Sequence, residues 1–173
     1  MVVSLQDKIH PSILSHLYEV RKTFPAKLYE MGVKKSRELF AQQARTLPLT
    51  RNNNIEVSDY TLSTTEGKID SRIYKPTIER IRPAALLYMH GGGWIMGDLN
   101  SHDQVCVDLC LRCRITVIAL DYALSPENKF PLALNQCFSS YLELINNKML
   151  LGSAFQNILI GGDSAGGNLA AAL

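Results

Sequence analysis

The feature that most limits how this chain can fold is a glycine-rich segment at residues 161–168, which reads GGDSAGGN. It follows an apolar run at residues 157–160 and precedes a stretch with helical character. A G-x-S-x-G pattern at such a junction predicts a sharp strand-to-helix turn that exposes the serine hydroxyl. Gly162 and Gly166 occupy the positions where a side chain would clash with the neighbouring strand or helix. Ser164 is therefore the candidate nucleophile, with Asp163 beside it in the elbow.

A second glycine-rich segment strengthens this interpretation. It follows the apolar run at residues 84–89, where a predicted strand ends. Bare backbone N–H groups at such a place can stabilise the negative charge that gathers on a carbonyl oxygen when a hydroxyl attacks it. We expect the donors to be the N–H groups of Gly91, Gly92 and Ala165. The predicted oxyanion-hole residues are His90, Gly91, Gly92, Gly93 and Ala165.

The glycines alone also allow two other interpretations. A G-x-S-x-G pattern alone can be a small-residue turn that lets a helix pack closely on a strand, and only the second motif favours a nucleophile. A phosphate cradle is disfavoured, because the chain lacks the lysine of G-x-x-x-x-G-K-S/T and the spacing of G-x-G-x-x-G. Trp94, directly after the glycine loop, is a tentative wall of a substrate pocket.

The pattern around these motifs alternates between strand and helix. Apolar runs predict buried strands at residues 84–89, 115–120 and 157–160, separated by predicted helices at 101–113 and 131–147. This order predicts an α/β fold, with a mostly parallel sheet and helices on both faces. A hairpin with a turn at residues 65–68 is expected to precede the first of these strands. Residues 1–50 form a predicted helical arm, in which Pro25 starts a helical turn, and residues 55–173 the core.

Composition excludes several classes of function. The net charge of +2 gives no electrostatic reason to expect nucleic acid. The chain has neither a secretory leader nor a run of ~20 apolar residues, so we expect a cytoplasmic protein without a membrane span. Cys106, Cys110 and Cys113 share a predicted helix face, which favours buried thiols over a metal site or a disulfide. No metal and no cofactor are expected, and the oligomeric state is not predicted.

These residues together resemble the hormone-sensitive-lipase branch of the α/β-hydrolases, and within it the bacterial acetyl esterases. The match is carried by residues 90–98, 102–103, 121–127, 130–131 and 162–167. The resemblance implies an α/β-hydrolase fold, a serine carboxylesterase without a cofactor, and a small-molecule ester with a short acyl group as substrate. It also implies that the helices of the arm cap the active site. Ala123 departs from the family, which usually has arginine there.

The resemblance also implies two residues that this chain does not supply. The family's triad runs Ser, then Asp or Glu, then His, whereas the printed sequence ends at Leu173 within a predicted helix. We interpret the chain as an N-terminal part, truncated after the nucleophile elbow, with turnover near background and an unpaired sheet edge that favours association. The alternatives are a non-catalytic small-molecule binding module and an inactive gene remnant. The residues expected to be structural are His10, His16, His90, His102 and Glu127.

Overall fold

The computed structural model describes residues 8–23, 28–46, 53–78, 84–147 and 157–173. Within these ranges the strands are β1 (Ile55–Thr64), β2 (Gly67–Pro76), β3 (Ala84–Met89), β4 (Thr116–Leu120) and β5 (Asn157–Gly162). The helices are α1 (Pro11–Thr23), a short 3-10 helix (Leu28–Met31), α2 (Val33–Ala44), α3 (Asp103–Cys113), α4 (Leu132–Asn146) and α5 (Ala165–Ala172). The predicted order of strands and helices from residue 55 onward is confirmed.

The five strands form one sheet in the order β1-β2-β4-β3-β5. β3 runs parallel to both β4 and β5, as predicted for these three strands. The predicted burial holds for β3 and β4 but is wrong for β5, which is an edge strand with Asn157 and Leu159 exposed. β1 and β2 form the predicted hairpin, and this hairpin joins β4 in the antiparallel direction. Because parallel neighbours end at the same edge of the sheet, Met89 at the end of β3 pairs with Gly162 at the end of β5. The two glycine-rich loops therefore start side by side.

Apolar side chains fill the space on both faces of the sheet. Alternate residues of a strand point to opposite faces, so Leu87 and Ile118 lie in one core and Tyr88 and Val117 in the other. The first core is covered by α4 and α5, and the second by α3. The prediction of helices on both faces is thus confirmed. β4 is buried along its whole length, as expected for a strand with a helix on either side.

The cysteine prediction holds for two of the three residues on α3. Cys106 and Cys110 are completely buried, and burial raises the pKa of each thiol to about 12. The prediction is wrong for Cys113, which is exposed. The reason is its position: α3 ends at Cys113, and Arg114 adopts a left-handed conformation (φ 50°) that turns the chain toward β4. All of these cysteines are free thiols.

The N-terminal arm contains α1 and α2, joined by the short 3-10 helix. The predicted boundary between the arm (residues 1–50) and the core (residues 55–173) lies partly outside the described part of the chain, which omits residues 47–52. Pro25, the expected start of a helical turn, also lies outside it. The division into an arm and a core therefore stays a prediction.

Candidate active site

The turn between β5 and α5 holds Ser164 in a conformation that few non-glycine residues adopt. Its φ is 50° and its ψ is −119°, and it is the N-cap residue of α5. The packing around the turn explains the flanking glycines, since a Cβ on either Gly162 or Gly166 would overlap the carbonyl oxygen of Met89. Ser164 is exposed, and it stands at a helix end where unpaired N–H groups favour negative charge. The Ser164 hydroxyl is therefore accessible at the N-terminus of α5.

Asp163 joins the elbow to the glycine loop that follows β3. Its Oδ1 accepts a hydrogen bond from the Gly91 N–H at 2.9 Å and another from the Tyr88 hydroxyl at 2.7 Å. A Cβ on Gly91 would overlap the Asp163 carboxylate, so only glycine allows this approach. Burial and the hydrogen bond to Asp163 raise the pKa of Tyr88, so the tyrosine stays a donor. The local hydrogen-bonding role expected of Asp163 is what the geometry shows.

The donor set differs from the sequence prediction at one residue. The Gly91 N–H donates to Asp163, so it holds the loop in place and is not available to a substrate oxygen. The N–H groups of Gly92, Gly93 and Ala165 donate no hydrogen bond within the described ranges. Gly92 and Gly93 have positive φ angles of 130° and 63°, and the Gly92 carbonyl oxygen accepts from the Met96 N–H at 2.9 Å, so the loop turns sharply here. The N–H groups that remain available as donors in this region are therefore those of residues 92, 93 and 165.

His90 stabilises the start of the glycine loop. Its Nδ1 donates to the Gly91 carbonyl oxygen at 2.9 Å, and its ring stacks on Tyr122 with centroids 4.4 Å apart. The Tyr122 hydroxyl donates to the His90 carbonyl oxygen at 2.6 Å. Burial lowers the pKa of His90, which favours the neutral ring. These contacts fit the structural role predicted for His90.

The other histidines are also engaged away from the serine. His102 Nε2 lies 3.5 Å from Asp163 Oδ1, and His102 Nδ1 lies 2.9 Å from Ser101 Oγ. His10 bonds to Ser12 beside α1, and His16 is exposed on that helix. Within the described part of the chain, no histidine makes a hydrogen bond to Ser164. His102 makes no side-chain cap at the start of α3, so the anchoring of that helix falls to Asp103.

A mostly apolar cavity of about 450 Å³ opens beside the elbow. It begins one turn after Ser164, since Asn168 lines it and donates its N–H to the Ser164 carbonyl oxygen at 3.0 Å. Trp94 lines the cavity from the glycine loop, as expected. The other main apolar walls come from Ile95, Phe130, Leu134, Leu169 and Ala172.

The sequence patterns do not identify three residues of this region. Tyr88 was counted as part of an apolar strand, and Tyr122 only as part of a motif. A tyrosine that ends a buried run beside a glycine loop is a usable signal, because its hydroxyl needs a partner when buried. Arg37, whose guanidinium bonds to two loops of the cavity, had no such signal, since it stands in a polar helix.

The described residues contain neither a potential metal cluster nor a helix suited to cross a membrane. No three His, Cys, Asp or Glu side chains converge as a potential metal site there. In the same ranges, no helix combines the length and the apolar character that a membrane crossing requires.

Comparison with known proteins identifies the fold family. The model of a family described as having the alpha/beta hydrolase fold matches residues 86–173, which include both glycine loops. This chain belongs to the α/β-hydrolases. Within that family it is similar to an ethyl acetate hydrolase from Pseudomonas putida, with 38% identity over 120 residues, which cover 68% of this chain and 38% of the relative. It is also 38% identical to an arylesterase from Saccharolobus solfataricus over 80% of this chain and 43% of the relative.

A solved structure of the same family extends the likeness to the whole fold. The chain superposes on an esterase from Pyrobaculum calidifontis with a TM-score of 0.81 and 33% identity, covering 94% of this chain and 52% of that one. The chain spans less than half the length of the two relatives named above.

Proposed function

We propose that this chain carries the nucleophile and the oxyanion loop of a serine carboxylic ester hydrolase. The observation that supports this most directly is the hydrogen bond from Gly91 to Asp163, which ties the glycine loop to the elbow that exposes Ser164. In the proposed reaction the Ser164 oxygen attacks the ester carbonyl carbon and forms a tetrahedral intermediate. A general base takes the Ser164 proton and passes it to the alcohol as the bond to the alcohol breaks. Water later releases the acid from the acyl-enzyme and restores the serine hydroxyl.

The oxyanion of that intermediate would be held by the N–H groups of Gly92, Gly93 and Ala165, with His90 and Gly91 keeping the loop in place. Loss of one such donor typically lowers the rate by ~10² to 10³-fold. Gly162 and Gly166 contribute by allowing the elbow to approach Met89.

The proposed substrates are small esters with a short acyl group. Two observations support this: one relative is named as an ethyl acetate hydrolase and another as an arylesterase, and the apolar cavity beside Ser164 measures about 450 Å³. We propose that Trp94 forms one wall of the substrate pocket, because it lines this cavity next to the oxyanion loop.

We further propose that the 173-residue chain alone hydrolyses esters at or near the background rate. Its sequence has no histidine after Ser164, and His90 and His102 are engaged with Gly91 and Asp163. Without a general base, the oxyanion hole and binding alone leave only ~10³ to 10⁴-fold over water in well-studied triad knockouts.

The test supplies the missing base from solution. The chain is incubated with p-nitrophenyl acetate with and without added imidazole, and acetyl groups are located by peptide mass mapping. We expect slow release of p-nitrophenol without imidazole, and imidazole-dependent acetylation of the peptide that holds Ser164. Ser164→Ala should abolish that acetylation, whereas Ser63→Ala, at an exposed serine on β1, should leave it unchanged.

Two results would contradict the proposal in different ways. Acetylation that is confined to lysines and is equal in the Ser164→Ala variant would show that Ser164 is not the nucleophile. Robust turnover without imidazole that Ser164→Ala abolishes would instead refute the predicted inactivity of the chain.

A further inference from the structure

Arg37, on α2 of the N-terminal arm, reaches residues that lie 58 to 90 positions away in the sequence. Its Nε donates to the Ile95 carbonyl oxygen at 2.7 Å, and its Nη2 to the Ser125 carbonyl oxygen at 3.0 Å. Nη1 and Nη2 also form a bidentate pair with the Glu127 carboxylate at 2.9 and 2.7 Å. One guanidinium thus makes four hydrogen bonds to two separate loops.

Both of these loops form walls of the same apolar cavity. Ile95 belongs to the loop after the oxyanion glycines, and Ser125 to the loop between β4 and α4, and both line the cavity. The two loops also meet directly, because the Ser125 N–H donates to the Trp94 carbonyl oxygen at 2.8 Å. Arg37 therefore sits where a change of its contacts would alter the distance between the cavity walls.

The geometry of this contact is more specific than that of an ordinary surface ion pair. Exposed pairs contribute little through charge alone, but a bidentate arginine–carboxylate pair also fixes orientation. The Arg37 side chain is 32% exposed and the Glu127 side chain 56%, and hydrogen bonding by Arg37 lowers the pKa of Glu127. A lysine could reach only part of this acceptor set, since it lacks the planar fork.

We infer that Arg37 is a positioning residue that holds the two walls of the cavity together and so limits the size of the acyl group that the site accepts. The identity of the ligand rests on the proposed function, whereas the coupling of the two loops does not. The effect should grow with the size of the ligand, because a larger acyl chain contacts more of both walls.

The first measurement follows the two loops without any ligand. Amide hydrogen exchange is compared between the unmodified chain, Arg37→Met and the matched control Arg45→Met, which changes an exposed arginine at the end of the same helix. In Arg37→Met we expect the Ser125 amide, which bonds to Trp94, to exchange about ten-fold faster or more. Amides of β3 and β4 should not change in either variant. Unchanged exchange at Ser125 in a folded Arg37→Met overturns the inference.

The second measurement tests the effect on ligand size. The probes are 4′-nitroacetanilide and 4′-nitrobutyranilide, amides that resist turnover, and dissociation constants are measured by NMR titration. Arg37→Met should weaken butyranilide binding about ten-fold and acetanilide binding much less. Arg37→Lys and Glu127→Gln keep part of the contact, so their dissociation constants for the butyranilide should lie between those of Arg37→Met and the unmodified chain. Arg45→Met should bind both anilides like the unmodified chain.

The outcomes separate this inference from the proposed function. An equal loss of affinity for both anilides, which a general loosening of the fold would cause, overturns the inference. The absence of anilide binding to the unmodified chain also overturns it. Neither result depends on acetylation of Ser164, so a failed nucleophile test would leave both measurements valid. If Arg37→Met does not fold, as judged by circular dichroism, Glu127→Gln supplies the comparison at the same contact.

Discussion

His90 is a residue whose protonation the fold opposes. Its ring is 2% exposed and stacked on Tyr122, and its Nε2 has no hydrogen-bond partner within the described residues. Burial lowers the pKa of His90, so below about pH 6.5 the unfolded chain binds a proton more readily than the folded chain. The stability that neutral His90 contributes is therefore complete above about pH 6.5 and is lost as the pH falls toward the lowered folded-state pKa.

We expect this loss to show in the free energy of unfolding, measured by urea denaturation at several pH values from about 7.5 down to about 5. One such group can contribute a slope of at most about 1.4 kcal/mol per pH unit. His90→Asn, which keeps a donor for Gly91, should reduce the slope, and His16→Asn at an exposed site should not. Parallel curves for the unmodified chain and His90→Asn would show that another group causes the acid sensitivity.

At the scale of elements, the start of α3 is anchored by a buried carboxylate. Asp103 is 2% exposed, and its Oδ1 accepts from the Tyr74 hydroxyl at 2.8 Å and from Arg72 Nη1 at 3.2 Å. Tyr74 and Arg72 belong to β2, so the contact fixes the helix to the hairpin. Arg72 also bonds to Asp59 and keeps that partner if Asp103 is removed.

Asp103→Ala should lower the free energy of unfolding by about 1–3 kcal/mol, because the buried Tyr74 hydroxyl loses this acceptor. The measurement is urea denaturation at neutral pH. Asp108→Ala, on the same helix with a bond to Gln104, is the matched control and should change stability by less than about 0.5 kcal/mol. Equal effects of the two substitutions would mean that the contact with β2 does not stabilise α3.

The elements differ in how far the sequence predicts them. β3, β4 and β5 lie within two residues of the apolar runs at 84–89, 115–120 and 157–160. For β3 and β4 the reason is burial, because a strand covered on both faces needs apolar residues throughout. β5 is an edge strand that is only partly buried. The position of β4 between β2 and β3 was not predicted, since periodicity tells which residues are buried and not which strand each one meets. The same limit applies in the site. Ser164 follows from a local pattern, whereas the partner of the Gly91 N–H and the reach of Arg37 depend on residues that are 58 to 90 positions distant.

For the molecule as a whole, the described strands leave two open edges of the sheet, one at β1 and one at β5. Among the described strands β5 pairs only with β3, so the N–H and C=O groups along its other edge have no strand partner in that part of the chain. Leu159 on this strand is 49% exposed. An unpaired edge that carries exposed apolar side chains is a template for pairing with another chain.

We therefore expect the 173-residue chain to self-associate as its concentration rises, as measured by sedimentation velocity. Leu159→Lys should reduce the association, because a charge on an edge strand opposes strand pairing between chains. Val105→Lys changes a comparably exposed apolar residue on α3, away from β5, and should leave the association unchanged. A single monomeric species at every concentration, or equal effects of the two lysines, would mean that the edge of β5 does not mediate contact between copies.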